Sequence, residues 1–180
     1  PRGECDKILA ETVEKMGVPI SYETAVTGIE FNGSDSITTV EDVNGNKPQI
    51  AAKFIVDGSG YGRVIPRLFK MDKPSNLPPR KALFTHIVDT NRTMDNEPNR
   101  ITIIVHQYGV WIWVIPFSNG NTSVGFVGPP EFFNSTAGDP EQQLRALIAT
   151  EPYLSERMKN VGFVFEPRVL ESYSVSTTKF

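Results

Sequence analysis

The apolar positions of the chain follow two rhythms. In the opening stretch Cys5, Ile8, Leu9, Val13 and Met16 recur at helical spacing. They predict a helix with one apolar face, stopped at Gly17. The period then falls to two. Residues 18–22 read as a short strand, 25–31 as a longer one with Val26, Ile29 and Phe31 as its apolar members, and 37–43 as a third. Asn32-Gly33 and Asn44-Gly45 are turn signals, the second a strong hairpin signal. Residues 50–56 form an apolar run suited to a buried strand, and 64–69 a short helix or turn. Three prolines within 72–79 (Pro74, Pro78, Pro79) mark a connector and the best internal boundary.

The second half is rich in strands. Residues 82–88, 101–106, 110–115 and 122–127 carry β-branched and aromatic side chains at strand length, with spacing that suits an antiparallel meander. A helix is then punctuated by Asp139 as N-cap, Pro140 in the first turn and Gln142 three residues after the cap. Leu144, Leu147 and Ile148 form its buried face, and Pro152 ends it. A shorter helix over 153–159 and strands over 161–164 and 169–178 complete the pattern. The expected class is α/β passing into α+β: helix, strand, antiparallel β insertion and buried strand, then an antiparallel sheet with helices.

Composition narrows the possible functions. An apolar fraction of 39% and a charged fraction of 22% predict a packed body. A net charge of -3 gives no case for nucleic acid. No apolar run reaches the ~20 residues of a membrane-spanning helix. The single cysteine, Cys5, rules out an internal disulfide and is read as inert core. These features point to a cytoplasmic setting. Both ends read as elements cut part-way, so the chain is expected to be an internal piece of a larger protein.

Two segments could carry chemistry. Asp57-Gly58-Ser59-Gly60-Tyr61-Gly62 ends the apolar run at 50–56, where a dinucleotide loop would sit. A glycine five after the first is required, and position 63 is Arg63, so this is no primary nucleotide loop. It reads either as a tight strand exit or as a surface that a cofactor approaches closely, with Asp57 accepting a hydrogen bond or facing a cation. The other segment is Trp111-Ile112-Trp113-Val114-Ile115-Pro116, which holds both tryptophans of the chain. In a strand, residues 111, 113 and 115 share one face, which is either a core stripe or an aromatic wall beside a planar ligand. His86 and His106 lack partners at metal-ligand spacing. Ser59 lacks the wider nucleophile-elbow pattern.

The tryptophan segment matches the W-x-W-x-I-P signature of flavin-dependent halogenases in full. Arg2-Gly3-Glu4-Cys5-Asp6 with Leu9 resembles the R-x-x-F-D-x-x-L stretch of that flavoprotein group, with Cys5 in place of Phe. Residues 56–63 resemble its D-A-S-G segment, with Gly58 in place of Ala. Residues 109–127 are similar to substrate-domain strands of the related geranylgeranyl reductases. The resemblance covers nearly the whole chain. It implies a para-hydroxybenzoate hydroxylase-like fold, with 1–72 as the middle of an FAD-binding domain and 80–180 as an antiparallel substrate domain, both incomplete. It also implies that Arg2, Asp57, Gly58 and Gly60 lie near FAD, and that Trp111, Trp113, Ile115 and Pro116 form the flavin-side motif. The catalytic lysine of such halogenases is expected outside the chain, so the catalytic residues here stay unknown.

The full-length protein would then use reduced FAD, oxygen and halide on a small-molecule or carrier-bound substrate, with a flavin reductase as a possible partner. The isolated chain would bind FAD weakly or not at all. A non-halogenating FAD reductase or monooxygenase of the same fold is the alternative. A stand-alone module for an apolar ligand is a third reading.

Overall fold

The computed structural model of the protein describes residues 2–93, 97–171 and 174–178, and of Arg2 the backbone alone. It is a mixed structure of helices and open antiparallel sheets, divided into two compact units. The first runs to Pro74 and takes in the stretch from Val175; the second is Ser75–Ser174.

In the first unit, helix α1 (Arg2–Lys15) precedes strands β1 (Ala25–Asn32), β2 (Asp35–Glu41) and β3 (Gln49–Ala52), which pair in the order β1-β2-β3. Gly33 takes φ +63° in the two-residue turn between β1 and β2. The loop between β2 and β3 is built on Asp42. Its carboxylate accepts the Asn44 and Asn46 amides, and Gly45 sits at φ +80°. A 3-10 turn (Gly60–Gly62), helix α2 (Val64–Leu68) and strand β4 (Asp72–Pro74) follow.

Several expectations for this half are corrected. Residues 18–22 form no strand. The run at 50–56 is no buried strand: pairing stops at Ala52, and Phe54 and Val56 are more than four-fifths exposed. The apolar face of α1 is exposed at Ile8, Leu9 and Met16, and Cys5 is exposed rather than core. The helical period is real, but no apolar layer covers it among the described residues.

In the second unit, β5 (Lys81–Val88), β6 (Thr102–Gln107), β7 (Val110–Pro116) and β8 (Asn121–Gly128) lead into α3 (Pro130–Phe133), α4 (Pro140–Thr150) and α5 (Pro152–Arg157), then β9 (Arg168–Glu171). The five strands are ordered β6-β7-β8-β5-β9, all antiparallel. The meander β6-β7-β8 arises from tight turns, with Gly109 at φ +74° and Gly120 at φ +89°. Helix α4 carries the expected capping box: the Asp139 carboxylate accepts the Gln142 amide at 2.9 Å and the Gln142 side chain accepts the Asp139 amide at 3.1 Å. Helix α3 lacked a periodic signal because it is only one turn long.

One face of this sheet meets the helices. Leu83, Ile87, Ile112, Val114, Val124 and Phe126 are fully buried, packed with Phe133, Leu144, Leu147 and Leu154. At about 1.5–3 kcal/mol for each fully buried large side chain, this layer dominates the unit's stability. Residues 161–164 contribute one isolated bridge, Ile87 to Phe163, rather than a strand. The expected strand at 169–178 is two. Its second part, β10 (Val175–Thr177), pairs with β4 and so groups with the first unit, not with 80–174. Among the described residues, no helix is long and apolar enough to cross a membrane, and no cluster of His, Cys, Asp and Glu could hold a metal.

Candidate functional site

The face of the five-stranded sheet turned away from the helices carries the aromatic residues. Alternation along β7 decides this. Ile112 and Val114 are fully buried against the helices, which turns Trp111, Trp113 and Ile115 to the other side. The two indole rings lie 6.0 Å apart at 50°. Trp111 keeps 39% of its surface exposed. Pro116 pairs with the buried Thr122 and, by alternation, falls on the face of Ile112 and Val114. The structure therefore brings Trp111, Trp113 and Ile115 together and leaves Pro116 as the ladder's end.

Trp113 lies across its neighbouring strand because that strand has a glycine beneath it. A Cβ at Gly125 would stand 2.3 Å from Cζ2 and 2.4 Å from Cη2 of the indole, and 2.6 Å from Cβ of Phe84. The indole Nε1 donates to Oγ of Ser123 at 3.0 Å, which satisfies its polar edge. Phe84, opposite Gly125 on β5, holds its ring 5.8 Å from that of Trp113. His86 extends the layer, edge-on to Phe117 at 4.9 Å and to Phe165 at 4.8 Å. Burial, and then the positive charge of Arg168, hold the His86 pKa below the usual histidine value. The charged form of the imidazole is therefore disfavoured. The result is a mostly apolar layer of rings packed at tilted and edge-on angles, with the His86 imidazole at its margin. Sequence reading found the tryptophans but missed Gly125, Ser123, Phe84 and His86. A glycine inside a strand pattern was the signal that marked Gly125.

The turn at 57–62 is exposed and occupied with itself. Asp57 accepts the Ser59 amide at 2.9 Å and the Ile65 amide at 3.0 Å, and Ser59 Oγ accepts the Val64 amide at 2.9 Å. Hydrogen bonding from Ser59 first, and then from the Ile65 amide, lowers the Asp57 pKa below the ordinary carboxylate value. The Gly62 and Arg63 amides are bonded within the turn as well. Asp57 thus shapes the loop. Gly58 has open space at its Cβ position, whereas Gly60 sits at φ +55° and needs to be glycine for the backbone alone. The side chain of Arg2 lies outside the described residues.

No family model matches the chain. Its sequence is 21% identical over 163 residues to the 1H-pyrrole-2-carbonyl-[peptidyl-carrier protein] chlorinase of Pseudomonas fluorescens, covering 88% of the chain and 36% of that protein. Its structure superposes on a flavoprotein/dehydrogenase from Cytophaga hutchinsonii with a TM-score of 0.91 at 56% identity, covering 99% of the chain and 44% of that one. The myxobacterial chondrochloren halogenase, an FAD-dependent enzyme, gives a TM-score of 0.81 at 24% identity over 97% of the chain and 41% of its own. The chain has the halogenase-like flavoprotein fold. The chain spans between about a third and a half of each of these three proteins.

Proposed function

We propose that the chain forms the central part of a cytoplasmic FAD-dependent oxidoreductase of the halogenase type, and that the platform of Trp111 and Trp113 walls its reaction chamber. The observation that carries this reading is Trp113, with its benzo edge against Gly125, fixed by Ser123 and flanked by Trp111. Such a face fits a planar ring or an apolar substrate by packing, and it excludes water from one side. When bound, FAD supplies the redox chemistry. The protein's residues orient and shield: Trp113 and Phe84 as a rigid floor, Trp111 and Ile115 as its continuation, and His86 packed edge-on at the margin.

Gly58 offers a Cβ-free approach for the cofactor, but the turn around it is no anion cradle, because five of its amides are already bonded. The pyrophosphate is therefore held by other parts of the protein, and the 180-residue chain alone binds FAD poorly. Residues 1–72 correspond to the middle of the FAD domain and those from about 80 to 174 to the substrate domain. The name of the pyrrole chlorinase supports a carrier-bound aromatic substrate. Halide, oxygen and a separate flavin reductase complete the reaction.

The test uses the full-length protein. Trp113→Leu, checked for folding, should raise peroxide release per reduced flavin oxidised several-fold. A folded variant with unchanged coupling would refute the wall. Fluorescence titration of the chain alone should show no saturable FAD binding at low micromolar concentration.

One observation favours a second reading. The relative at 56% identity is described as a flavoprotein/dehydrogenase, not a halogenase. A non-halogenating FAD reductase or dehydrogenase would use the same platform. Halide-dependent mass shifts in the product, present or absent, separate the two.

A further inference from the structure

Away from the aromatic platform, the second unit holds a buried cluster of charge. The Asp89 side chain is fully buried. Its Oδ2 accepts from Nη2 of Arg157 at 2.6 Å, from Oγ1 of Thr122 at 2.5 Å and from Nε of Arg92 at 3.3 Å. Two guanidinium groups, only 10% and 11% exposed, thus share one carboxylate. The cluster carries one excess positive charge in a poorly solvated setting, where an unpaired charge is costly.

The two arginines differ in what they have left to give. A guanidinium has five N–H donors. Arg92 uses Nε on Asp89, Nη1 on Phe117 O at 2.9 Å and Asn99 Oδ1 at 3.4 Å, and Nη2 on Asn121 O at 2.6 Å and Thr122 Oγ1 at 3.0 Å. It is a saturated clamp on the turn between β7 and β8. Arg157 has three donors matched among the described residues: Nε and Nη2 on Asp89, and Nη1 on the Tyr153 hydroxyl at 2.5 Å. Two remain. Because the Tyr153 oxygen accepts from Arg157, its own proton is left to donate outward.

Arg157 and Tyr153 open onto space. They line one cavity of about 460 Å³ with Thr93, Thr102 and Arg100, and a second of about 600 Å³ with Thr93, Asn160 and Lys159. Three residues, Thr93, Tyr153 and Arg157, belong to both, so the cavities lie side by side. Among the described residues, the other charged groups facing this space are balanced in sign: Arg100 is paired with Glu97, and Lys159 and Glu156 both line the second cavity. Within that set, the excess charge of the Arg92–Asp89–Arg157 cluster is not offset.

We propose that this cleft is an anion site for a phosphate ester, with Arg157 and Tyr153 as its ligands. Two adjacent guanidinium donors, a phenol proton and the hydroxyls of Thr93 and Thr102 exceed what the two oxygens of a carboxylate can accept, and they match the three or four of a phosphate. The space beyond the ligands holds the organic part of the ester. A free phosphate monoester or the phosphodiester of a carrier-borne arm would supply the same chemistry. The site goes beyond the redox reading and does not depend on it.

The test is calorimetric titration of the 180-residue chain, checked for folding, without flavin, at low salt. The probes are methyl phosphate, dimethyl phosphate, inorganic phosphate and acetate. Saturable binding of a phosphate species at one site is expected, with acetate weaker. Tightest binding of methyl phosphate identifies a free monoester, and tightest binding of dimethyl phosphate a carrier-borne diester. Tyr153→Phe keeps the ring and the fold and removes one donor, so it should weaken binding about tenfold, the scale of one hydrogen bond. Arg157→Gln should weaken it further. The proposal fails if no phosphate probe binds saturably, if acetate binds equally well, or if Tyr153→Phe leaves the affinity unchanged. None of these outcomes bears on flavin chemistry.

Discussion

Replacing Gly125 by alanine is the sharpest perturbation the second unit offers. The added methyl carbon would stand 2.3 Å from Cζ2 of Trp113 and 2.6 Å from Cβ of Phe84. Carbon atoms rest at about 3.5–4 Å, so the indole must lift by more than about 1 Å, while the Phe84 carbon, fixed to the β5 backbone, cannot retreat as easily. Overpacking of this kind costs about 1–3 kcal/mol. Lifting the ring also breaks the 3.0 Å bond from Nε1 to Ser123, about another 1 kcal/mol. We expect a total loss of about 2–4 kcal/mol in urea unfolding followed by tryptophan fluorescence, with a red-shifted native emission as Trp113 is pushed outward. The share of the strain that belongs to Trp113 is isolated by a double-mutant cycle. In a Trp113→Leu background, Gly125→Ala should cost measurably less, with the contact to Phe84 Cβ remaining. A single Gly125→Ala variant within about 0.5 kcal/mol of the parent and with unchanged emission, or a cycle with no coupling, would refute the reasoning.

Other expectations follow from the buried and strained groups. Asp89→Ala leaves two guanidinium groups without their carboxylate and should destabilise the chain by about 3–5 kcal/mol in urea unfolding. Burial alone would raise the Asp89 pKa, but the bonds from Arg157, Thr122 and Arg92 outweigh it and bring it below 3.8, so its contribution is present above that pH and is lost as pH falls further. Acid unfolding should therefore show a component that vanishes in Asp89→Asn. His86 runs in the same sense. Its folded pKa lies below 6.5, so the stability it adds is full above that pH and declines as pH falls through the folded value, which an NMR titration of the imidazole would report. Gly60→Ala, at φ +55°, should cost about 1 kcal/mol, while Gly58→Ala, with open space and no positive φ, should cost almost nothing; equal costs would contradict the turn geometry.

Local signals carried the reading where the answer was local. The strand over β7, the tight turn at Asn32-Gly33 and the capping box of Asp139 and Gln142 depend on residues a few positions apart, and each was legible. The shared face of Trp111 and Trp113 followed from the two-residue period alone. What failed depended on partners far along the chain. The apolar stripe of α1 and the run at 50–56 predict burial, but burial needs a covering layer, and periodicity says nothing of whether one is there. The platform's other members escaped notice for the same reason. Phe84 and Gly125 lie forty-one positions apart and meet only through the β5–β8 register. Nothing beside Asp89 in the sequence singles it out, and only the fold brings Arg157 to it across sixty-eight positions.

The pairing of β4 with β10 bears on how this architecture can change over evolutionary time. The whole second unit, from Ser75 to Ser174, is spliced between two strands that are neighbours, and its first and last residues touch through their hydroxyls at 3.0 Å. A module whose entry and exit coincide can be exchanged, enlarged or remodelled with little demand on the chain's connectivity, because its two ends meet at the β4–β10 seam. The module can then be rewritten while the β4–β10 pairing stays intact. The seam carries a reciprocal cost. Unfolding the module leaves β4 and β10 tethered by a floppy loop of about a hundred residues, whose closure entropy opposes their pairing. Selection for a well-folded module is therefore also selection for a closed seam.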